Sequence, residues 1–251
     1  MTEPQWLTAT EPSEMWLFVL ERAMQRFRES GDTNDRKMRL FACACCRRVW
    51  DLLPDERSRR GIELAERYAD GHALSAEEFV AWFAAGAVFA ERGSSFLQVS
   101  TTDEAAAYWA TSCAANVASD VPDIEDAITG AATARAAAAF PGAPIDFLET
   151  EEGARASEEA LQAEAVEQCH LLRCIFGNPF RPTALDRAGL TPDVLALAQG
   201  IYDRRDFARL PYLAAALERH GGGDAELLAH LRAPGPHALG CAALDSVLGK
   251  S

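Results

Sequence analysis

Helix punctuation recurs along almost the whole chain, and that constrains the fold more than any other feature. Ser75-Ala-Glu-Glu78 and Thr101-Thr-Asp-Glu104 have the spacing of capping boxes, in which a hydroxyl and a carboxylate satisfy backbone amides reciprocally. Thr191-Pro192 reads as an N-cap followed by a first-turn proline, and Pro122 sits where another such proline would stand. Asn34 can cap one helix, Pro54-Asp55 opens the next and Asp224 starts a later one. Between these signals apolar residues return at helical spacing, as at Met15, Trp16, Val19, Leu20, Met24 and Phe27. Strand-like alternation is scarce. The expectation is an all-α, multi-helix bundle of about nine to ten helices, as one core or as two packed modules.

Pro141-Gly-Ala-Pro144 is the clearest loop and divides an N-terminal helical module, 1–140, from a second, 145–251. The alanine-rich tract before it has small faces that permit close helix approach, which predicts a tight antiparallel middle. A long helix is expected from about Glu151 to Phe176, with a seam of Leu161, Ala165, Cys169, Leu172 and Phe176. Asn178-Pro-Phe-Arg-Pro182 stops it, and shorter helices follow to about Leu248.

Several segments carry a resemblance. They are Arg39-Leu-Phe-Ala-Cys-Ala-Cys-Cys-Arg-Arg-Val-Trp50, Leu172-Arg-Cys-Ile-Phe-Gly-Asn-Pro-Phe-Arg-Pro182 and Pro234-Gly-Pro-His-Ala-Leu-Gly-Cys241. Together with Met1-Thr-Glu-Pro-Gln-Trp-Leu7, they resemble a large paralogous family of uncharacterised planctomycete-type bacterial proteins. The resemblance covers both ends well and the alanine-rich middle poorly. It implies compact N- and C-terminal modules with a variable helical middle, and it brings no activity, cofactor or catalytic residue with it.

Charge narrows the partners. A formal net charge of -14 argues against nucleic acid, whose phosphates need clustered Lys and Arg. Residues 35–60 run the other way, with eight basic residues against four acidic ones, a local +4. Such a patch meets the chain's own acidic helices or an acidic protein partner. No apolar run approaches the ~20 residues that span a bilayer, and no signal peptide is visible, so the expected location is the cytoplasm.

Seven cysteines without a secretory signal read as reduced thiols rather than a disulfide framework. Buried core thiols compete here with a metal site. Cys43 and Cys46 stand three apart, His170 and Cys174 four apart, and His237 and Cys241 four apart. On a helix those spacings put donors on one face, and two such pairs would complete the tetrahedral set that zinc takes. A thiol nucleophile at Cys46, beside Arg47 and Arg48, is a weaker reading because no base can be named. Arg67-Tyr-Ala-Asp-Gly-His72 fits the Arg-x4-His pattern of helical-bundle RNases. Arg232 to His237 fits it too, across a loop, which shows how cheaply the pattern arises. Asn178, Phe180 and Arg181, with Arg47 and Arg48, are the candidate binding residues, since ordered loops with an aromatic and a guanidinium often carry recognition.

The leading expectation is a soluble helical interaction or regulatory protein with a protein partner. The alternative is a zinc-type metal-binding helical protein, with or without enzymatic activity. No phosphate loop, nucleophile elbow, HExxH or dinucleotide fingerprint is present.

Overall fold

The computed structural model describes residues 1–30, 35–93, 99–119, 122–181, 185 and 190–250. Among them are twelve α-helices and no strand; the only β pairing is an isolated bridge between Thr101 and Pro144. The all-α class holds, and the helix count exceeds the nine to ten expected. One unforeseen helix is α1 (Glu3–Thr8), capped by a Thr2–Gln5 capping box and too short to show periodicity.

By its internal contacts the chain forms two compact units. One comprises Met1–Ala9, Met15–Lys37 and Cys169–Ser251; the other comprises Thr10–Glu14 and Met38–Gln168. The loop 141–144 lies within the second. Helices α2 (Pro12–Ser30), α3 (Asp35–Arg48) and α8 (Glu151–Phe176) supply residues to both.

The unit built around 38–168 packs α4 (Glu56–Ala69), α5 (Ala76–Gly93), α6 (Thr102–Val117) and α7 (Ile124–Ala138). Its helices start where local chemistry demands. Thr101 and Glu104 form their capping box, Ser75 and Glu78 form theirs, and the Asp55 carboxylate accepts from the Arg57 amide. Pro122 lies ahead of the N-cap Asp123 rather than at the first helical position, because the Asp123 carboxylate takes the Asp126 amide. The Asn34 cap falls outside the described residues. Alanines do line the α6–α7 contact, with Ala110, Ala114, Ala127, Ala131 and Ala134 fully buried. A Cβ placed on Gly130 would lie 3.4 Å from the Cys113 Cβ, which shows how closely these backbones approach.

The unit containing both termini packs α9 (Pro192–Arg204), α10 (Leu210–Arg219), α11 (Ala225–Arg232) and α12 (Ala242–Leu248) around Ile201, Leu210, Leu213, Leu217, Leu231 and Leu244. Thr191 caps α9 ahead of Pro192, and Asp224 caps α11, as their residue types predict. Trp6 of α1 is fully buried and donates its indole N–H to the Gly177 carbonyl at 3.1 Å.

Helix α8 has the bounds that its periodicity suggests, but its buried stripe differs. Cys169, Leu172 and Ile175 are fully buried, whereas Leu161, Ala165 and Phe176 are only half-buried. No described helix is long and apolar enough to cross a membrane.

Candidate metal centre

Four side chains of the terminal unit converge. Cys174, His230, His237 and Cys241 each present one ligand atom, and these atoms lie within 4.8 Å of one another. Each arrives by a different device. Cys174 sits on the last turn of α8, which Gly177 closes in the left-handed region at φ 67. His230 sits on the last turn of α11, directed by the Asp224 cap below it. The chain then reverses through Pro234-Gly-Pro236, where Gly235 takes φ 106, and returns His237 to the same place. Cys241 precedes α12, and its sulfur makes no capping bond, so it is available to the cluster.

Two of the donor pairs have spacings near those of a tetrahedral zinc site. His230 Nε2 lies 3.2 Å from Cys241 Sγ, and His237 Nδ1 lies 3.8 Å from Cys174 Sγ. Zinc bonds of ordinary length, about 2.3 Å to sulfur and 2.0 Å to nitrogen, set such pairs about 3.5 Å apart. The two observed values bracket that. The other ring nitrogen of His237, Nε2, meets the Ala233 carbonyl at 3.0 Å, the backing that ligating imidazoles usually have. The sulfurs are buried and the imidazoles half-buried.

The donor groups differ in acidity. The hydrogen bond from Cys174, with further contributions from His230 and His237, holds the Cys241 thiol well below its ordinary range despite burial. Cys174 is pushed the other way, by that same hydrogen bond and by burial. Burial pushes His237 down, but its contacts with Cys241 and the Ala233 carbonyl outweigh this and leave it raised. Cys241 is therefore the more acidic thiol of the pair and Cys174 the less acidic. A bound metal cation would hold both as thiolates.

Behind the cluster, the Arg36 guanidinium forks onto Asp245 at 2.6 and 3.2 Å and donates to Tyr202 Oη at 2.9 Å. Asp245 is 1% exposed and opens its backbone amide to the Cys241 carbonyl at 2.8 Å, tying the ion pair to a cluster residue.

Of the six metal candidates named from the sequence, the structure gathers Cys174, His237 and Cys241. His170 is exposed and outside the cluster. Cys43 and Cys46 belong to the other unit, and among the described residues neither joins a group of three or more donors. Cys46 is fully buried, its sulfur 2.8 Å from that of Cys113, and burial first, then Cys113, pushes its thiol far up. That removes the thiolate a nucleophile needs, whatever Arg47 and Arg48 contribute.

His230 was missed by sequence reasoning. Its signal was a second histidine before the Pro-Gly-Pro turn, in the order His-x6-His-x3-Cys, which no helical spacing reveals.

The binding candidates have partners within the fold. Arg47 forks onto buried Glu66 at 3.1 and 2.7 Å and stacks over Trp50 at 3.9 Å. Arg48 pairs with buried Glu164 at 2.6 Å and with Glu167 at 3.3 Å. The Phe180 ring stacks on Phe18, with centroids 5.4 Å apart and planes at 9°. Arg181 pairs with Glu3 at 2.8 Å, and Asn178 Nδ2 donates to Glu3 at 2.8 Å. The RNase pattern finds Arg67 paired with Glu78 at 2.5 Å and His72 exposed.

Comparison with family models, with curated proteins and with solved structures finds no match to this chain. The reading of the site therefore rests on its geometry.

Proposed function

We propose that this is a metal-binding helical protein whose centre is Cys174, His230, His237 and Cys241, holding a zinc-type ion. The supporting observation is the convergence of two sulfurs and two imidazole nitrogens within 4.8 Å in one small unit. A two-sulfur, two-nitrogen tetrahedron selects zinc-like cations over the hard, oxygen-seeking ones. Four protein ligands make the ion a structural staple. It would fasten the end of α8, α11 and the turn before α12 to one another in addition to the apolar core they share.

The test is elemental analysis of protein purified without added metal. Near-stoichiometric zinc is expected, lost in Cys241→Ala and Cys174→Ala and retained in Cys43→Ala and Cys46→Ala. Wild-type protein without bound metal that also fails to take up cobalt(II) would sink the proposal.

A further inference from the structure

A cavity of about 210 Å³ lies against the cluster within the same unit. Two of the four cluster residues, Cys174 and His230, form part of its wall. Trp6 and Leu7 supply an apolar side. Liquid water occupies about 30 Å³ per molecule, so the space suits a ligand of a few heavy atoms.

Arg173 supplies a permanent positive charge in the wall. It is half-buried and spends two donor atoms on backbone, Nε to the Trp6 carbonyl at 2.9 Å and Nη2 to the Ala9 carbonyl at 2.5 Å. Among the described residues no carboxylate lies within ion-pair distance of it. A guanidinium stays charged in proteins, and a partly desolvated cation without a counter-ion favours any anion that fits. Glu226 stands in the lining too, but it is exposed, and Asn178 Nδ2 donates to it at 3.3 Å. Its charge opposes an anion in the cavity, about twice as strongly for a dianion as for a monoanion at the same distance.

We propose that this cavity binds a small monocarboxylate, its carboxylate paired with Arg173 and its body against Trp6, at the Cys174–His230 edge of the cluster. A planar carboxylate suits the donor fork of a guanidinium. The contact with Arg173 stands without any metal; only the placement beside a metal edge rests on the metal reading.

The experiment titrates the whole protein, metal-free and cobalt-loaded, with acetate and with its uncharged isostere acetamide. Calorimetry reads binding, and the cobalt visible bands read the metal's surroundings. Saturable acetate binding in the millimolar range is expected, with acetamide at least tenfold weaker and the cobalt bands shifted by acetate. Arg173→Gln should weaken acetate at least tenfold. Because Arg173 also holds two carbonyls, Glu226→Gln on the exposed rim is the second variant. It should tighten acetate severalfold and admit malonate. Equal affinity for acetate and acetamide, or unchanged acetate affinity in both variants, overturns the carboxylate site. Acetate binding that leaves the cobalt bands unmoved overturns its placement at the metal edge. Acetate binding to a protein that takes up no cobalt retains the carboxylate site and removes the metal reading; cobalt uptake without acetate binding does the reverse.

Discussion

His230 and Cys241 lie eleven residues apart in the chain, yet His230 Nε2 faces Cys241 Sγ at 3.2 Å. The contact closes the segment from α11 to α12 into a loop, and His237, four residues before Cys241, turns towards Cys174 at 3.8 Å. Three donors from one short segment and one from the end of α8 make a clip whose strength depends on what the donors share.

If they share a metal, His230 is as necessary as either cysteine. His230→Ala should lower cobalt(II) affinity more than tenfold, while His170→Ala, at an exposed position outside the cluster, should leave it within about twofold. Competition with a chromophoric chelator measures both. Equal affinities for the two variants would show that His230 is no ligand.

If the cluster holds an ion, removing it should loosen the fold. A ligand bound to the native state alone stabilises it by about 4 kcal/mol at a thousandfold excess over its Kd. For a chain of this length that corresponds to a melting shift of about 8–16 °C. Thermal melts with and without a strong chelator, followed by re-addition of zinc, test this. A melt indifferent to chelator argues that the cluster is a hydrogen-bonded thiol–imidazole group and nothing more.

Capping was legible from the sequence because a cap involves residues three positions apart. Thr101, Ser75, Thr191 and Asp224 all act as their types and neighbours predict. Helix α1 was not legible, since six residues carry no periodicity and Trp6 is buried through a carbonyl 171 positions away. The centre was legible in part and for mixed reasons. His170 and Cys174 share helical spacing, yet only Cys174 faces the core, because spacing does not say which side of a helix is inside. His237 and Cys241 also stand four apart, but a turn rather than a helix brings them together. His230 needed the path of the Pro234–Pro236 reversal, a tertiary fact. The basic run of 35–60 was easier to read: Arg36, Arg47, Arg48, Arg57, Arg59 and Arg60 all meet acidic side chains of the chain itself.

Burial along α8 separates two neighbours that the sequence treats alike. Leu172 is fully buried, so Leu172→Ala should cost about 2–5 kcal/mol. Phe176 is half-buried, and Phe176→Ala should cost about 1–2 kcal/mol by its smaller area removed from water. Denaturant midpoints compare them directly, and a larger loss at Phe176 would contradict the observed seam.

Gly153, in the first turn of α8, allows no side chain. A Cβ there would come within 2.0 Å of the Phe147 carbonyl oxygen, in the 3-10 turn Ile145–Glu149 that leads into the helix. Backbone cannot yield as a flexible side chain can, so Gly153→Ala should destabilise by more than about 2 kcal/mol although alanine is the better helix former. Neutral or improved stability would mean that the turn packs otherwise.

Arg48 and Glu164 give the sharpest electrostatic test. Glu164 is 4% exposed and is held by the Arg48 guanidinium at 2.6 Å, with Glu167 as a second, more exposed partner. Removing one member of a buried pair strands the other's charge, at about 3–5 kcal/mol, whereas replacing both with apolar groups of similar volume is often neutral. Arg48 is 27% exposed, so water softens the penalty and a loss near the lower bound, about 3 kcal/mol, is expected for Arg48→Met. Arg48→Met with Glu164→Leu should recover most of it, because no uncompensated carboxylate then remains inside. A double-mutant cycle on urea midpoints reads the coupling. If the double variant is as unstable as the sum of the singles, the pair is not coupled and the energetic importance of the contact lies in the packing of the Arg48 stem.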